Sequence, residues 1–554
     1  MLRNIKYMFL VVLGITMTSC DDDFLETTPT DAISAADALA NETNMQLVLN
    51  GLHRGLYSQS QTIFPGGDTT WANNHFWVPM GDNLAGGLIH SANANNLGWR
   101  DVMQWNTHTD PTAGMNEIFW YHRYNIIAGA NLLINKGNDG SLTESPTLNE
   151  ILGQAYTYRA YAYLSLIQHF AKGYLIGNPA SDPGVPLLFS SEAPFTSAPR
   201  STVQEIYDQI ELDLNAAIAA FENGTGRPSG GPETKSQLNI NTAYGLLARM
   251  ALSKGDWQTA ADAAVAARQG FPLMGEDDWL SGFNSNNLSE VIWGSNVIAA
   301  ETTFFRSYFY LTTNTFNGSQ IRNNPKIADR RLVDAIPDTD YRKRAFIIDA
   351  PNTNSSAANN EGGLDPNTGL PRDPNYANDL DGYNARRAEI NATYGITNAF
   401  NQHPYMHFKL KNANPGSIDP DDVIYMRTSE MYLIEAEAKA MMNDIAGAQA
   451  ALEPLGSERD SAYDVSIYNT QQALMDHIKF QRGVELWGEG FGYTDKIRWD
   501  EGIDHAADGG SGASQVLYQE AYQVERPSLN DDWIFKIPQA EIDANPNLSP
   551  ADQN

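Results

Sequence analysis

Glu485 and Glu489 stand four residues apart near the end of a 554-residue chain, and a carboxylate pair is what acid–base cleavage of a sugar linkage requires. Retaining glycosidases hold their two carboxyls roughly 5 Å apart across the bond, and inverting enzymes hold them further apart on separate walls of a cleft. One helix face cannot present both sides of a bond, so the spacing assigns these two to ion pairing, with Arg482 or Arg498 as partners. The ten histidines include no His-Glu-x-x-His, and a single cysteine rules out a cysteine-based metal cluster. Neither a Gly-x-Ser-x-Gly elbow nor a phosphate-binding loop is present. At 373–389, Asp379, Asp381 and Gly382 sit as in an EF-hand, but Ala377 and Ala388 occupy its first and twelfth ligand positions. That match fails. An irregular carboxylate-rich loop leaves a structural calcium open, and no other cofactor is expected. The chemistry left is recognition, for which 11 Trp and 25 Tyr are generous.

The N-terminus sets the compartment. Arg3 and Lys6 form a short basic head, the run from 8 to 15 is apolar, and small residues lead to Cys20. An apolar stretch of about ten residues is shorter than the roughly 20 a membrane span needs, so this reads as a secretory signal. Cys20 has no second cysteine to pair with. It is either incidental to a cleavage site or the acylated first residue of a lipoprotein, and Thr18 and Ser19 before it favour the lipoprotein. Asp21, Asp22 and Asp23 follow. They read as a solvated tether, and they also resemble the acidic surface-export signal of Bacteroidetes lipoproteins. Cleavage before Cys20 would leave 535 residues with 34 basic and 67 acidic side chains, a formal charge of −33. Such a surface repels phosphate backbones and excludes nucleic acid as a natural partner. It also slightly favours a neutral ligand, although Arg322, Lys326, Arg330, Arg331, Arg342, Lys343 and Arg344 form one basic-rich stretch suited to an anionic one.

Two segments repeat a helix-pair pattern. In 243–257 apolar residues recur every three or four positions up to a Gly-Asp-Trp turn, and an alanine-rich helix follows at 258–268. In 432–452 the turn falls at Asn443 and Asp444, with Pro454 expected to end the second helix. Ala248 and Ala260 stand twelve apart, as do Ala436 and Ala448, and small residues there let antiparallel helices approach closely, as in a tetratricopeptide hairpin. Further helices are expected at 35–57 (capped by Ser34, with Asp37 in its first turn), 116–134, 148–172, about 201–221 with a capping box from Ser201 or Thr202 to Glu205, and 474–488. Residues 58–115 and 270–425 are loop-rich, with strand-like runs at 290–293 and 405–410, and 350–385 reads as loop throughout. The expected fold is mainly α: a tetratricopeptide-like helix-pair superhelix with a large irregular lobe containing short β-strands.

Several motifs then resemble one family in residue type and order. They are Arg159-Ala-Tyr-Ala-Tyr-Leu164 with Pro183-Gly-Val-Pro-Leu187, and Ala243-Tyr-Gly-Leu-Leu-Ala-Arg249 with Gly255-Asp-Trp257. Later come Arg427-Thr-Ser-Glu430, Tyr432-Leu-Ile-Glu-Ala-Glu437, Gln481-Arg-Gly-Val-Glu-Leu486, Gly490 with Phe491, Arg498 with Trp499, and Ile537-Pro-Gln-Ala-Glu541. Together they resemble the SusD/RagB family of outer-membrane nutrient-binding lipoproteins. The resemblance implies a non-catalytic protein, lipid-anchored at Cys20 on the cell surface, that captures oligosaccharide and delivers it to a SusC-like TonB-dependent barrel. It divides the chain into a signal peptide (1–19), an acidic tether (20–33), a helical part (34–270, with the insertion 58–115), a ligand-binding lobe (271–425) and a C-terminal helix pair with the family signature (426–554). Peptide capture, as in RagB-like members, is the second reading, and a surface glycoside hydrolase the third.

The resemblance also places the ligand between the early insertion and the segment after the mid-chain strand. Sugars stack on aromatic faces flanked by planar polar side chains, and Trp and Tyr supply such faces. The candidates are Trp99 and Tyr308 first, then Asn96, Arg100 and Tyr310, with Asp82, Phe305 and Asn296 around them. A loop tryptophan can equally plug a helix pair. Trp293, Trp257, Trp487 and Trp499 are read as packing.

Overall fold

The computed structural model describes residues 39–58, 74–90, 99–189, 197–302, 307–353, 362–505 and 524–554. Eight helices form the scaffold: α1 (Gly114–Asn138), α2 (Pro146–Phe170), α3 (Val203–Glu222), α4 (Ile240–Lys254), α5 (Trp257–Ala267), α6 (Thr428–Met441), α7 (Ile445–Arg459) and α8 (Gln471–Glu485). Each of α1 to α7 packs on the next, and α8 lies against α6. The superhelix is therefore continuous across residues 268–427, since α5 packs on α6 although the whole irregular lobe separates them in sequence. A helix Glu42–Gly55 packs beside α1 and α2.

Local sequence explains where these helices begin and turn. Ser145 accepts a hydrogen bond from the Leu148 N–H, with Pro146 at the first helical position of α2. Thr202, not Ser201, closes the capping box with Glu205 at the start of α3. Gly255 takes φ +79°, which ends α4 in the left-handed region, and Asp256 caps α5 two residues before Gln258. Ala248, Ala260, Ala436 and Ala448 are all fully buried, as close helix approach at these hairpins requires.

The helices expected at 116–134 and 474–488 run Gly114–Asn138 and Gln471–Glu485, and three other expectations differ more deeply. The N-terminal helix starts at Glu42 with Asn41 as its cap, whereas Ser34 and Asp37 lie outside the described residues. Pro454 does not end its helix: α7 runs on to Arg459 because Leu455, Gly456 and Arg459 beyond it are buried, which offsets the lost backbone hydrogen bond. Residues 350–385 are not loop throughout. The carboxylate of Asp379 accepts from the Gly382 N–H at 2.8 Å and caps a helix, Leu380–Tyr394, that ends at Gly395 with φ +66°. Of the EF-hand-like residues, Asp379 is thus the helix cap, and Asp381 and Gly382 lie in the first turn.

The lobe carries short strands: β1 (Leu88–His90), β2 (Val291–Ser295), β3 (Lys326–Ala328), β4 (Phe346–Ile347), β5 (Met406–His407) and β6 (Val423–Arg427). Antiparallel pairing orders one sheet β1-β3-β5-β4, and β2 pairs with β6. The strand-like run at 405–410 reduces to β5, since Tyr405 takes φ +62°, outside strand geometry, although its N–H still bonds the Ile347 carbonyl at 2.8 Å. In register, Ile89, Ile327 and Met406 share the sheet face that packs a separate small core. The main core runs from Met45 to Ile542, so scaffold and lobe are not separately packed.

Candidate functional site

The early insertion and the segment after β2 do meet, around a helix at Asn74–Ala85. A short helix at Tyr308–Thr312 packs on it, as does Trp99–Met103. The helices Tyr308–Thr312 and Asn74–Ala85 grip the C-terminal turn that follows α8. Tyr308 donates its hydroxyl to the Gly488 carbonyl at 3.0 Å. The Asp82 carboxylate accepts N–H bonds from Gly490 at 2.7 Å and Gly492 at 3.0 Å. Burial pushes the Asp82 carboxyl up to about 7 in spite of those two donors and Lys409. Gly490, at φ +91°, lies so close to the Val78 carbonyl that only a glycine fits.

These contacts fix the role of several candidate residues. Trp99 is 1 % exposed, with its ring stacked on His90 at 5.4 Å and 19° between planes. Tyr308 is 4 % and Tyr310 2 % exposed, the latter set edge-on to Phe316 at 5.6 Å. A ring enclosed on both faces offers no platform to a sugar, so Trp99, Tyr308 and Tyr310 are packing groups here, and Asp82 is a clamp on the C-terminal turn. Arg100 and Asn296 are partly exposed. Asn96 and Phe305 lie outside the described residues. Trp293 is core, and Trp487 donates to the Gly87 carbonyl at 2.6 Å. Trp499 donates to Glu437 at 2.9 Å, and Trp257 starts α5. All four are packing residues.

Beneath the turn lies a charge cluster that sequence reasoning missed. Arg427, on β6, contacts Glu290 at 2.9 Å, Glu485 at 2.6 Å and Glu489 at 2.8 Å. Arg342 reaches Glu485 at 2.7 Å and Asp340 at 2.6 Å. Lys409 reaches Glu489 at 2.7 Å, and Arg459 pairs with Glu290 and Glu485. Four cations meet four carboxylates, all buried except Glu489, which is partly buried. Burial alone would raise the Glu485 carboxyl, but Arg459, Arg427 and Arg342 overcome it and hold the group well below the usual range. Ion pairing is therefore the role of Glu485 and Glu489, but not with the expected partners. Arg482 binds Asp495 at 2.7 Å, and Arg498 binds Asp495 at 2.9 Å and Glu437. Glu489 also lies past the end of α8 rather than on it. Glu485, enclosed by three guanidinium groups, is held ionised and has no proton to give.

Other motif residues are interhelical ties. Arg159 of α2 meets Asp213 of α3 through two hydrogen bonds of 2.6 and 2.8 Å, and Arg249 of α4 meets Glu430 of α6 at 2.6 and 2.7 Å. A pair so held is destabilised strongly by losing one partner. Among the described residues no group of three or more His, Cys, Asp or Glu is placed to hold a metal ion, and no helix is long and apolar enough to cross a membrane.

Comparison with known proteins agrees with this architecture. A model described as the SusD family matches residues 282–554, and one described as starch-binding, associating with outer membrane, matches 23–252. SusD-like protein P38 of Formosa agariphila is 22 % identical over 527 residues, covering 91 % of this chain and 92 % of its own. A SusD-like carbohydrate binding protein from Bacteroides vulgatus superposes with TM-score 0.70 at 21 % identity, over 92 % of this chain and 98 % of that one. A SusD superfamily protein from Bacteroides thetaiotaomicron gives TM-score 0.67 at 23 % identity, over 93 % and 99 %.

Proposed function

The chain belongs to the SusD family, and on that premise we propose that it captures an oligosaccharide at the cell surface, anchored to the outer membrane through Cys20, and passes it to a SusC-like TonB-dependent barrel. The observation that carries this reading is the pair of family matches, which follow one another in chain order and leave little of the chain outside them. The burial of Glu485 and Glu489 in ion pairs supports binding without cleavage, since the carboxylate pair that suggested hydrolysis is already committed. Ligand contact falls to the partly exposed Arg100 and Asn296, joined by Asn96 and Phe305 from the flanking segments.

Intact cells displaying the protein test the anchoring and transfer together. Fluorescent oligosaccharide should label cells with the unaltered protein, and Cys20→Ala should abolish surface labelling while the protein remains folded. The barrel should co-purify with the lipidated form. Equal labelling by the Cys20→Ala variant would refute the anchor, and failure to recover any barrel would refute the transfer step.

A further inference from the structure

A second concave site lies away from Arg100 and Asn296. A cleft of ≈430 Å³ opens between the helix Gly492–Trp499 and the short strand Ile503–Asp504, walled by Arg331, Lys496, Glu501 and Asp504 over Ala85 and Ile503. That size lies within the range of about 300–1,000 Å³ common to ligand pockets. Its charges are unevenly committed. Arg331 is held by the Asp329 carboxylate through its Nε at 3.0 Å, and its Nη1 donates to the Asp504 carbonyl at 3.1 Å. Glu501 is taken by Lys479 at 2.5 Å. The Lys496 amine makes no hydrogen bond or ion pair with a described residue.

Burial acts most strongly on Lys496 and lowers its basicity. Glu501 and Asp329 favour the ammonium form, and Arg331 and Lys479 oppose it. A half-buried amine beside a second cation, in a protein of net charge −31, is an electrostatic feature set against the field of the whole molecule. The cleft wall holds two cations and two carboxylates, and with Glu501 held by Lys479 and Arg331 by Asp329, the Lys496 ammonium is left to draw an anion into the cleft. Partly exposed Ala85 adds an apolar spot to the wall, and Arg331 belongs to the basic-rich stretch that glycan capture alone does not employ.

We propose that this cleft receives the anionic group, a carboxylate or a sulfate ester, of an acidic glycan, with Lys496 as its direct ligand and Arg331 beside it. The inference rests on the glycan-capture reading and names the ligand class within it. Two matched pairs test it by titration calorimetry: a uronic-acid tetrasaccharide against its carboxyl-reduced form, and a sulfated tetrasaccharide against its desulfated form. In one pair the acidic member should bind at least tenfold tighter, and the pair that responds identifies carboxylate or sulfate. The preference should weaken at high salt. Lys496→Met should remove it while leaving the melting temperature and neutral binding unchanged. In parallel, inorganic sulfate should raise the titration midpoint of the Lys496 amine, followed by NMR. Equal binding within both pairs, or an unmoved midpoint, overturns the inference and leaves glycan capture standing. Silence of all four saccharides also overturns this inference, whereas glycan capture itself falls only with silence across a wider oligosaccharide panel together with saturable peptide binding.

Discussion

Glu485→Gln removes one negative charge from the centre of the buried cluster while keeping nearly the same shape. In the native protein the carboxylate accepts from Arg427 at 2.6 Å, Arg342 at 2.7 Å, Arg459 at 3.2 Å and the Trp279 indole at 3.3 Å. The variant leaves four buried cations against three carboxylates and turns an amide N–H₂ toward donors. Breaking a buried pair by removing one partner costs about 3–5 kcal/mol. With an unfolding entropy of about 2 cal/mol/K per residue, a chain of roughly 500 residues loses about 1 °C of Tm per kcal/mol. Tm at neutral pH should therefore fall by roughly 3–5 °C, read by intrinsic fluorescence on heating. The acid response checks the electrostatic origin. Because the folded-state carboxyl sits well below its unfolded value, its stabilisation is complete above about pH 4.3 and is lost as pH falls through the folded value. The gap between wild type and variant should accordingly close on acidification. A Tm loss below about 1 °C at neutral pH, or a gap independent of pH, would refute the assignment of Glu485 as the hub of the cluster.

Further predictions concern the clamp, the hairpins and the aromatic residues. Asp82 has its carboxyl pushed up to about 7 by burial. It should destabilise the fold as pH rises from about 4 to 7, and Asp82→Asn should flatten that part of a Tm-against-pH curve. A Cβ at Gly81 would meet the Gly490 carbonyl oxygen at 2.5 Å, so Gly81→Ala should cost about 1–3 kcal/mol in urea denaturation by pushing the C-terminal turn away. Ala260→Leu should cost a similar amount, about 1–3 kcal/mol, if the α4–α5 hairpin is as closely packed as its full burial indicates. Trp99→Ala should cost about 3–5 kcal/mol, measured the same way, because it opens a core cavity beside His90. Arg100→Ala should leave stability within about 0.5 kcal/mol and weaken oligosaccharide binding.

The scaffold was legible in the sequence because its determinants are local. The Thr202–Glu205 capping box, the Gly255 stop and the paired alanines twelve residues apart each act within one or two helices. The helix boundaries that differed did so where distant packing overrode a local rule, as buried Leu455 and Arg459 carry α7 past Pro454. The helix at Leu380–Tyr394 was hidden by a polar composition, since only Tyr383, Ile390 and Asn391 of it are buried. The ion-pair cluster joins Glu290, Arg342, Lys409, Arg427, Arg459 and Glu485, which no sequence spacing brings together. Its one visible sign was an excess of Arg and Glu inside otherwise apolar motifs, such as Arg427 directly after β6 residues Ile424 to Met426. For the candidate site, the two segments singled out in the sequence do meet around Asn74–Ala85, but the sequence could not tell open rings from enclosed ones. Trp99 and Tyr308 look alike on either reading until the helix, the sheet and the Gly488 turn close over them.

The central claim is that this protein binds glycans, and titration calorimetry of the purified chain against a panel of neutral and acidic oligosaccharides and a panel of peptides tests it most directly. The account predicts saturable binding to at least one oligosaccharide, weakened by Arg100→Ala or Asn296→Ala, and no heat from the peptides. Silence across the oligosaccharides together with saturable peptide binding would contradict it.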